Sequence, residues 1–160
     1  MLNVGPNLTS SDGTTRQHKV GDTHNCGGAT YMYILSLSAI AAGDAVIIYP
    51  DGTAESVDTT KANAEVVADA GIAQFAIGSA EYAWVPIGPF ELDWAGNPFY
   101  VKAKTLCATD VKLYTTATAG EVDDSVTTLI NGLRLTSTNS AGGTVLTPCT
   151  AVDRLGFGKS

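Results

Sequence analysis

The chain has 160 residues, 44% hydrophobic and 16% charged, and a formal net charge of −7. That length fits one domain of about 100–200 residues with a modest core, and the composition excludes a disordered chain. The acidic balance argues against a primary nucleic-acid binder, which carries a basic patch; Lys102, Lys104 and Lys112 are read as solvated strand faces.

Residues 1–28 differ from the rest. They are polar and glycine-containing, with Leu2, Val4, Leu8 and Val20 as their aliphatics. Such a segment cannot bury much of itself, and it is predicted to be an extended N-terminal arm that packs along a partner or along the domain body. Ordering an arm costs about 1–2 kcal/mol per residue, which contacts must offset. Leu2, Val4, Leu8, Arg16, His18, Val20 and His24 are the arm residues expected to make interface contacts. No cationic leader with an apolar core begins the chain, so no signal peptide is expected. No apolar run approaches the ~18 residues of a membrane span, so no membrane partner is expected either.

The body, residues 29–160, reads as all-β. Twenty threonines, with Val, Ile and aromatics, favour strands, and 17 glycines supply turns. Tyr31 to Leu37 is a strand candidate, and Ala41 to Asp44 is a turn. Ala45 to Tyr49 is a short buried strand ended by Pro50-Asp51-Gly52. Thr59 to Ala70 is Ala-rich without a clean apolar stripe, which leaves a turn or two of helix and a loop with weak strand equally open. Two strands are predicted at about 71–77 and 81–88. The second alternates through Tyr82-Ala83-Trp84-Val85-Pro86-Ile87, as a half-buried strand does. Residues 93–98 form a turn. Phe99 to Ala103, Val111 to Thr115 and Thr128 to Leu135 are further strands. Asn131-Gly132 inside the last of these reads as a bulge or bend rather than a hairpin, because its flanks are short. Asn139 to Gly143 is read as a flexible turn. Thr144 to Thr147 and Thr150 to Phe157 complete the set. Short strands at regular intervals with Gly, Asp and Pro turns predict a small β-barrel or sandwich.

Few residues suggest chemistry. A Ser-His-acid or Cys-His nucleophile needs a histidine, and His18 and His24 both lie in the arm, where a site would be poorly preorganised. His18, His24 and Cys26 offer two nitrogens and a sulfur to a metal, but polar arm histidines bonded to backbone or water are the plainer reading. Asp51, Asp58, Asp69, Asp110, Asp123, Asp124 and Asp153 sit mostly in turn contexts, where Asp accepts backbone N–H bonds. Asp123-Asp124 offers oxygens to Ca²⁺ without the twelve-residue loop pattern. Cys26, Cys107 and Cys149 leave one thiol over after any pairing and match no zinc spacing, so free thiols in a reducing cytoplasm are expected. Neither Gly27-Gly28 nor Gly142-Gly143 makes a phosphate cradle. Tyr82, Trp84, Trp94 and Tyr100 are read as structural aromatics of core or interface, against the alternative of a platform for sugars or bases. The expectation is of no enzyme, no cofactor and no bound metal.

The stretch Gly71 to Phe90, GIAQFAIGSAEYAWVPIGPF, resembles a segment of the small head decoration and virion structural proteins of tailed bacteriophages. There, "GIA" plus an apolar strand is followed by a short turn and an aromatic-rich strand like Tyr82-Ala83-Trp84-Val85. Ala39 to Ile48 with the Asp51-Gly52-Thr53 turn lies upstream of it, and Leu113 to Gly120 with Asp123-Asp124 and then Ile130 to Leu135 lie further on, each agreeing with the same reading. The resemblance spans roughly residues 30–157. It implies a capsid decoration (cement) protein on the exterior of the head shell, made in the host cytoplasm. It also implies the major capsid protein and further copies of the chain, as a homotrimer, for partners. Another virion component, such as a head fibre base or tail protein, and a carbohydrate-binding β module are the alternatives.

Overall fold

The computed structural model describes residues 6–64 and 68–158. Leu2 and Val4 of the expected arm contacts lie outside the described residues. The fold is all-β, 44% strand and 3% helix, with a closed five-strand barrel and extra strands packed around it. In chain order the strands are β1 (Thr23–Cys26), β2 (Ala29–Ser36), β3 (Ala45–Ile48) and β4 (Thr53–Ser56). A short helix α1 (Thr59–Ala64) precedes β5 (Asp69–Ile72), β6 (Tyr82–Pro86) and β7 (Phe99–Ala103). β8 (Leu113–Thr115), β9 (Val122–Asp123), β10 (Leu129–Leu135) and β11 (Val145–Gly158) complete it.

The barrel follows from the pairing. β11 pairs with β7 and β10, β10 with β8, β8 with β9, and β9 in parallel with β7, so the ring closes. Closure removes the exposed edges that an open sheet leaves. The first half of the chain is built around β2, which is antiparallel to β1 and β6 and parallel to β4. β3 joins β4 to β5. The two halves meet where β5 touches β11 at Asp69–Gly156, and the Arg154 guanidinium grips both Asp69 carboxylate oxygens there, at 3.0 and 2.6 Å.

Strands β2 and β3 are covered on both faces, which explains their unbroken apolar runs. Met32, Ile34, Val46 and Ile48 pack with Ile77 and Val85 in one cluster. Tyr31, Tyr33, Ile47 and Trp84 pack with Phe99 and Leu133 in the other. Each fully buried aliphatic side chain contributes about 1.5–3 kcal/mol relative to exposure.

Several expectations are met and several are corrected. β7 has the predicted bounds. The pairing of β10 with β11 shifts register between Asn131 and Leu133, the expected irregularity. The open segment 59–70 starts as helix. The strand expected over 71–77 ends at Ile72. Ala73 exchanges backbone bonds with the 43–44 turn instead, and the Gln74 side chain turns to the Tyr100 backbone. The two strands expected at 144–147 and 150–157 are one strand, β11. Pro148 does not break it, because Thr136 N–H donates to the Pro148 carbonyl and the ladder continues on both sides. β1 lies within the arm segment.

The described part of the arm lies along the domain body. Tyr82 and residues 12–13 exchange backbone bonds of 2.8 and 2.9 Å. Tyr33 is the anchor. Its hydroxyl donates to Asp12 at 2.7 Å and accepts from Gln17 N–H at 3.1 Å, and its backbone exchanges bonds with Gly21 and Asp22.

The buried Asp44 carboxylate joins the two halves. It accepts bonds from Ala41 N–H at 3.0 Å and the Ser56 hydroxyl at 2.6 Å, and pairs with the Lys102 ammonium of β7 at 2.5 Å. Gly120 covers it, and a Cβ at Gly120 would sit 2.3 Å from the carboxyl carbon.

Asp44→Ala is expected to lower unfolding free energy by about 1–3 kcal/mol, because it leaves the Ala41 N–H and the Ser56 hydroxyl without their acceptor while the partly exposed Lys102 can turn to water; urea unfolding measures this. Burial also pushes the Tyr31 and Tyr33 hydroxyls up to about 12. An unfolded tyrosine titrates near pH 10, so the contribution is intact below about pH 10 and is lost as pH rises toward 12. Thermal melting across this range should show the loss, and Tyr33→Phe should shrink it.

Candidate functional site

Two surfaces stand out, one at each end of β7. The first is an aromatic cleft at the start of that strand. Its volume is about 320 Å³, and its walls include Tyr31, Trp84, Trp94, Phe99 and Tyr100. β2 and β6 supply Tyr31 and Trp84, β7 supplies Phe99 and Tyr100, and loop 91–98 supplies Trp94. A second cleft of about 340 Å³ lies across Trp94, bounded by Asn7, Leu8, Thr9, His24 and Cys26.

Trp94 is 59% exposed, yet its loop is tightly tied. The Asp93 carboxylate accepts from Ala95 and Asn97 N–H, both at 2.8 Å, and from the Asn97 amide at 3.2 Å. Burial works to raise the Asp93 carboxyl, but these donors outweigh it and hold the group below the usual carboxylate range. The loop also rests on the β1–β2 turn. Gly27 has φ +60°, and a Cβ there would lie 2.5 Å from Trp94 Cα. Only glycine meets both demands at that position. Trp94 is therefore an exposed ring on a preorganised support.

Trp84 is 4% exposed and belongs to the core. The His18 ring meets it edge-on at 5.1 Å between centroids and also meets Tyr33 at 5.2 Å. His24 also meets it edge-on, at 6.0 Å. Tyr82 is half-buried and stacks with Tyr33 at 5.9 Å. The Trp84 indole N–H is buried and finds no hydrogen-bond partner among the described residues.

The expected arm contacts and structural aromatics thus divide. Leu8, His24, Trp84, Trp94 and Tyr100 converge on the two clefts. His18 packs behind them on Trp84. Val20 packs over Gly52, and Arg16 is exposed. Trp94 and Tyr100, the latter 39% exposed, lie outside the core.

The second surface is the far end of the barrel, which sequence reasoning missed. Loops 104–110, 123–128 and 136–144 are laced together there. Buried Asn139 donates from its amide to the carbonyls of Ala103, Lys104 and Gly143 at 2.8–3.0 Å. Its backbone exchanges bonds with Leu106 and Cys107, and Ala108 N–H donates to Asp124 at 3.0 Å. The segment read as a flexible turn is thus pinned by its first residue. From this frame Leu106 and Val126 each project with 72% exposure. Leu106 has φ +65°, a left-handed conformation costly for a branched side chain.

Cys107, Asp123 and Asp124 bring their ligand atoms within 4.8 Å of one another beneath these loops, the one such group among the described residues. His18, His24 and Cys26 do not form one. Asp123 is paired with Lys104 at 3.2 Å and also accepts Asp124 N–H, while Asp124 takes Ala108 N–H. The carboxylates here are engaged in tying the loops. All three cysteines are free thiols. Burial, then the Asp124 and Asp123 charges, pushes Cys107 up to about 12, and burial raises Cys149 as well.

The architecture defines an all-β protein on a closed five-strand barrel that presents an aromatic cleft and, on the loops at the far end of the barrel, the exposed side chains of Leu106 and Val126. Compared with protein-family models, curated proteins and solved structures, the chain matches none.

A thiol-reactive dye should label Cys26 quickly in the native protein and leave Cys107 and Cys149 unreacted until denaturant is added, since thiolate character and exposure control the rate. Mass spectrometry of the labelled peptides distinguishes the three. Gly27→Ala should disturb loop 91–98 and change the emission of Trp94.

Proposed function

We propose that this chain is a structural protein of a tailed-phage head, a decoration protein that binds the outside of the shell and works by binding energy alone. The sequence resemblance motivates the assignment. The observation that carries the mode of binding is Leu106, an exposed leucine held at positive φ by a buried asparagine. Solvent gives no reason to keep an apolar side chain in a strained loop, whereas a partner surface does. Leu106 and Val126 are the apolar contacts that meet the major capsid protein. The closed barrel behind them keeps loop geometry fixed, so little ordering entropy is lost on docking. Repeated copies, as homotrimers, multiply each weak contact across capsomer boundaries. Net negative charge keeps unassembled copies soluble.

Heads assembled without the protein test this directly. Purified chain should co-sediment with them, and imaging should show added density outside the shell. Leu106→Asp combined with Val126→Asp should weaken binding by about tenfold or more, the equivalent of one buried aliphatic contact. Melting should not fall. Leu106→Asn should raise stability by about 1 kcal/mol, since asparagine tolerates the left-handed region, and still weaken binding. Equal binding by the double variant would reject this contact, and failure of the native chain to bind heads would reject the assignment.

A further inference from the structure

The aromatic cleft at the other end of β7 carries a separate inference. Its exposed ring, Trp94, stands on a loop fixed by Asp93, Asn97 and the close approach of Gly27. Exposed tryptophans are normally costly to solubility, and one supported this firmly has the form of a binding platform. The cleft volume, about 320 Å³, falls at the small end of ligand sites.

The chemistry of the walls selects the ligand. Asp93 is the one charged residue lining the cleft among the described residues, so an anionic ligand meets repulsion and no counter-charge. A bare quaternary cation would suit the rings and the carboxylate but offers no acceptor. Tyr100, partly exposed on the same wall, carries a hydroxyl that can both donate and accept. Asp93 brings acceptor oxygens, and the Asn97 amide brings both donor and acceptor capacity. Apolar rings, a donor and acceptors together match a neutral polyol whose ring has one C–H face and hydroxyls around its edge.

We propose that the cleft between loop 91–98, β6 and β7 binds a neutral hexose unit of a glycan, with Trp94 as the stacking ring. The site does not depend on the shell-binding reading. Phe99 and Tyr100 open β7 on the cleft side, whereas Leu106 lies three residues beyond its last residue, Ala103. A docked copy would hold the shell at one end and present the sugar site at the other.

The test titrates the full chain with glucose, galactose, mannose and N-acetylglucosamine, with sialic acid as the anionic comparison. Tryptophan emission and saturation-transfer NMR are the readouts. At least one neutral hexose should give a saturable signal in the millimolar range, and sialic acid none. Trp94→Ala should weaken that binding about tenfold or more while melting stays unchanged, as an exposed ring should allow. Leu106→Asp should leave sugar binding intact. No saturable signal from any neutral hexose, binding indifferent to Trp94→Ala, or preference for sialic acid would each overturn the proposal. Head binding by the same preparation remains a separate result, so either reading can fail alone.

Discussion

The buried carboxylate of Asp44 is the constraint on which the two halves of the molecule depend. A charge taken out of water is tolerated only with matched partners. Here the partners come from separate parts of the chain: the Ala41 backbone, Ser56 of β4 and Lys102 of β7. Lys102 is partly exposed, so its own desolvation cost is modest, while the carboxylate is covered by Gly120. Backbone bonds reinforce the joint, since Gly43 N–H donates to the Ala73 carbonyl and the Gly43 carbonyl accepts from Lys102 N–H. The first half of the chain therefore cannot slide along the barrel without stranding a charge.

That fixed relation gives the surfaces their character. β7 is held by Lys102, one residue before its end, and each of its ends opens a different surface. At its start the strand meets loop 91–98 and the arm, and the aromatic cleft forms between them. At its end it enters the loops organised by Asn139. Both surfaces rest on backbone bonds already made in the isolated chain. A contact at either would need little reorganisation.

The arm has a further role. Gln17, Asp12 and Tyr33 form a short hydrogen-bonded chain that straps residues 12–17 over the β2–β6 pair. His18 and His24 then close over Trp84, and Leu8 and Thr9 become walls of the clefts. A segment with too few aliphatics to fold by itself is ordered by an aromatic group on the body. It contributes to the site only after that packing.

Much of the fold was legible locally. The runs at β2 and β3, the alternation of β6, the bounds of β7, the 93–98 turn and the Asn131-Gly132 irregularity follow from side-chain period and turn chemistry, which are properties of short windows. The course of β11 through Pro148 was not legible, because a proline interrupts a strand only if its missing N–H is needed, and the partner strands decide that. The end of β5 at Ile72 was hidden for the same reason: Ala73 is claimed by Asp44 from a distant turn. For the clefts, the sequence singled out Leu8 and His24 as arm contacts and Trp84, Trp94 and Tyr100 as structural aromatics of core or interface, without showing that they meet. It placed Trp84 and Trp94 in one class, whereas packing buries the first and exposes the second. Leu106 and Val126 carried no signal, since each is a lone aliphatic in a polar loop. The amino-acid sequence by itself determined the all-β class and that at least one of the three thiols is unpaired, because composition, short-range period and an odd count govern these. Only the tertiary structure decided the closure of the barrel, the two surfaces and the strain at Leu106, because each depends on groups brought together from distant parts of the chain.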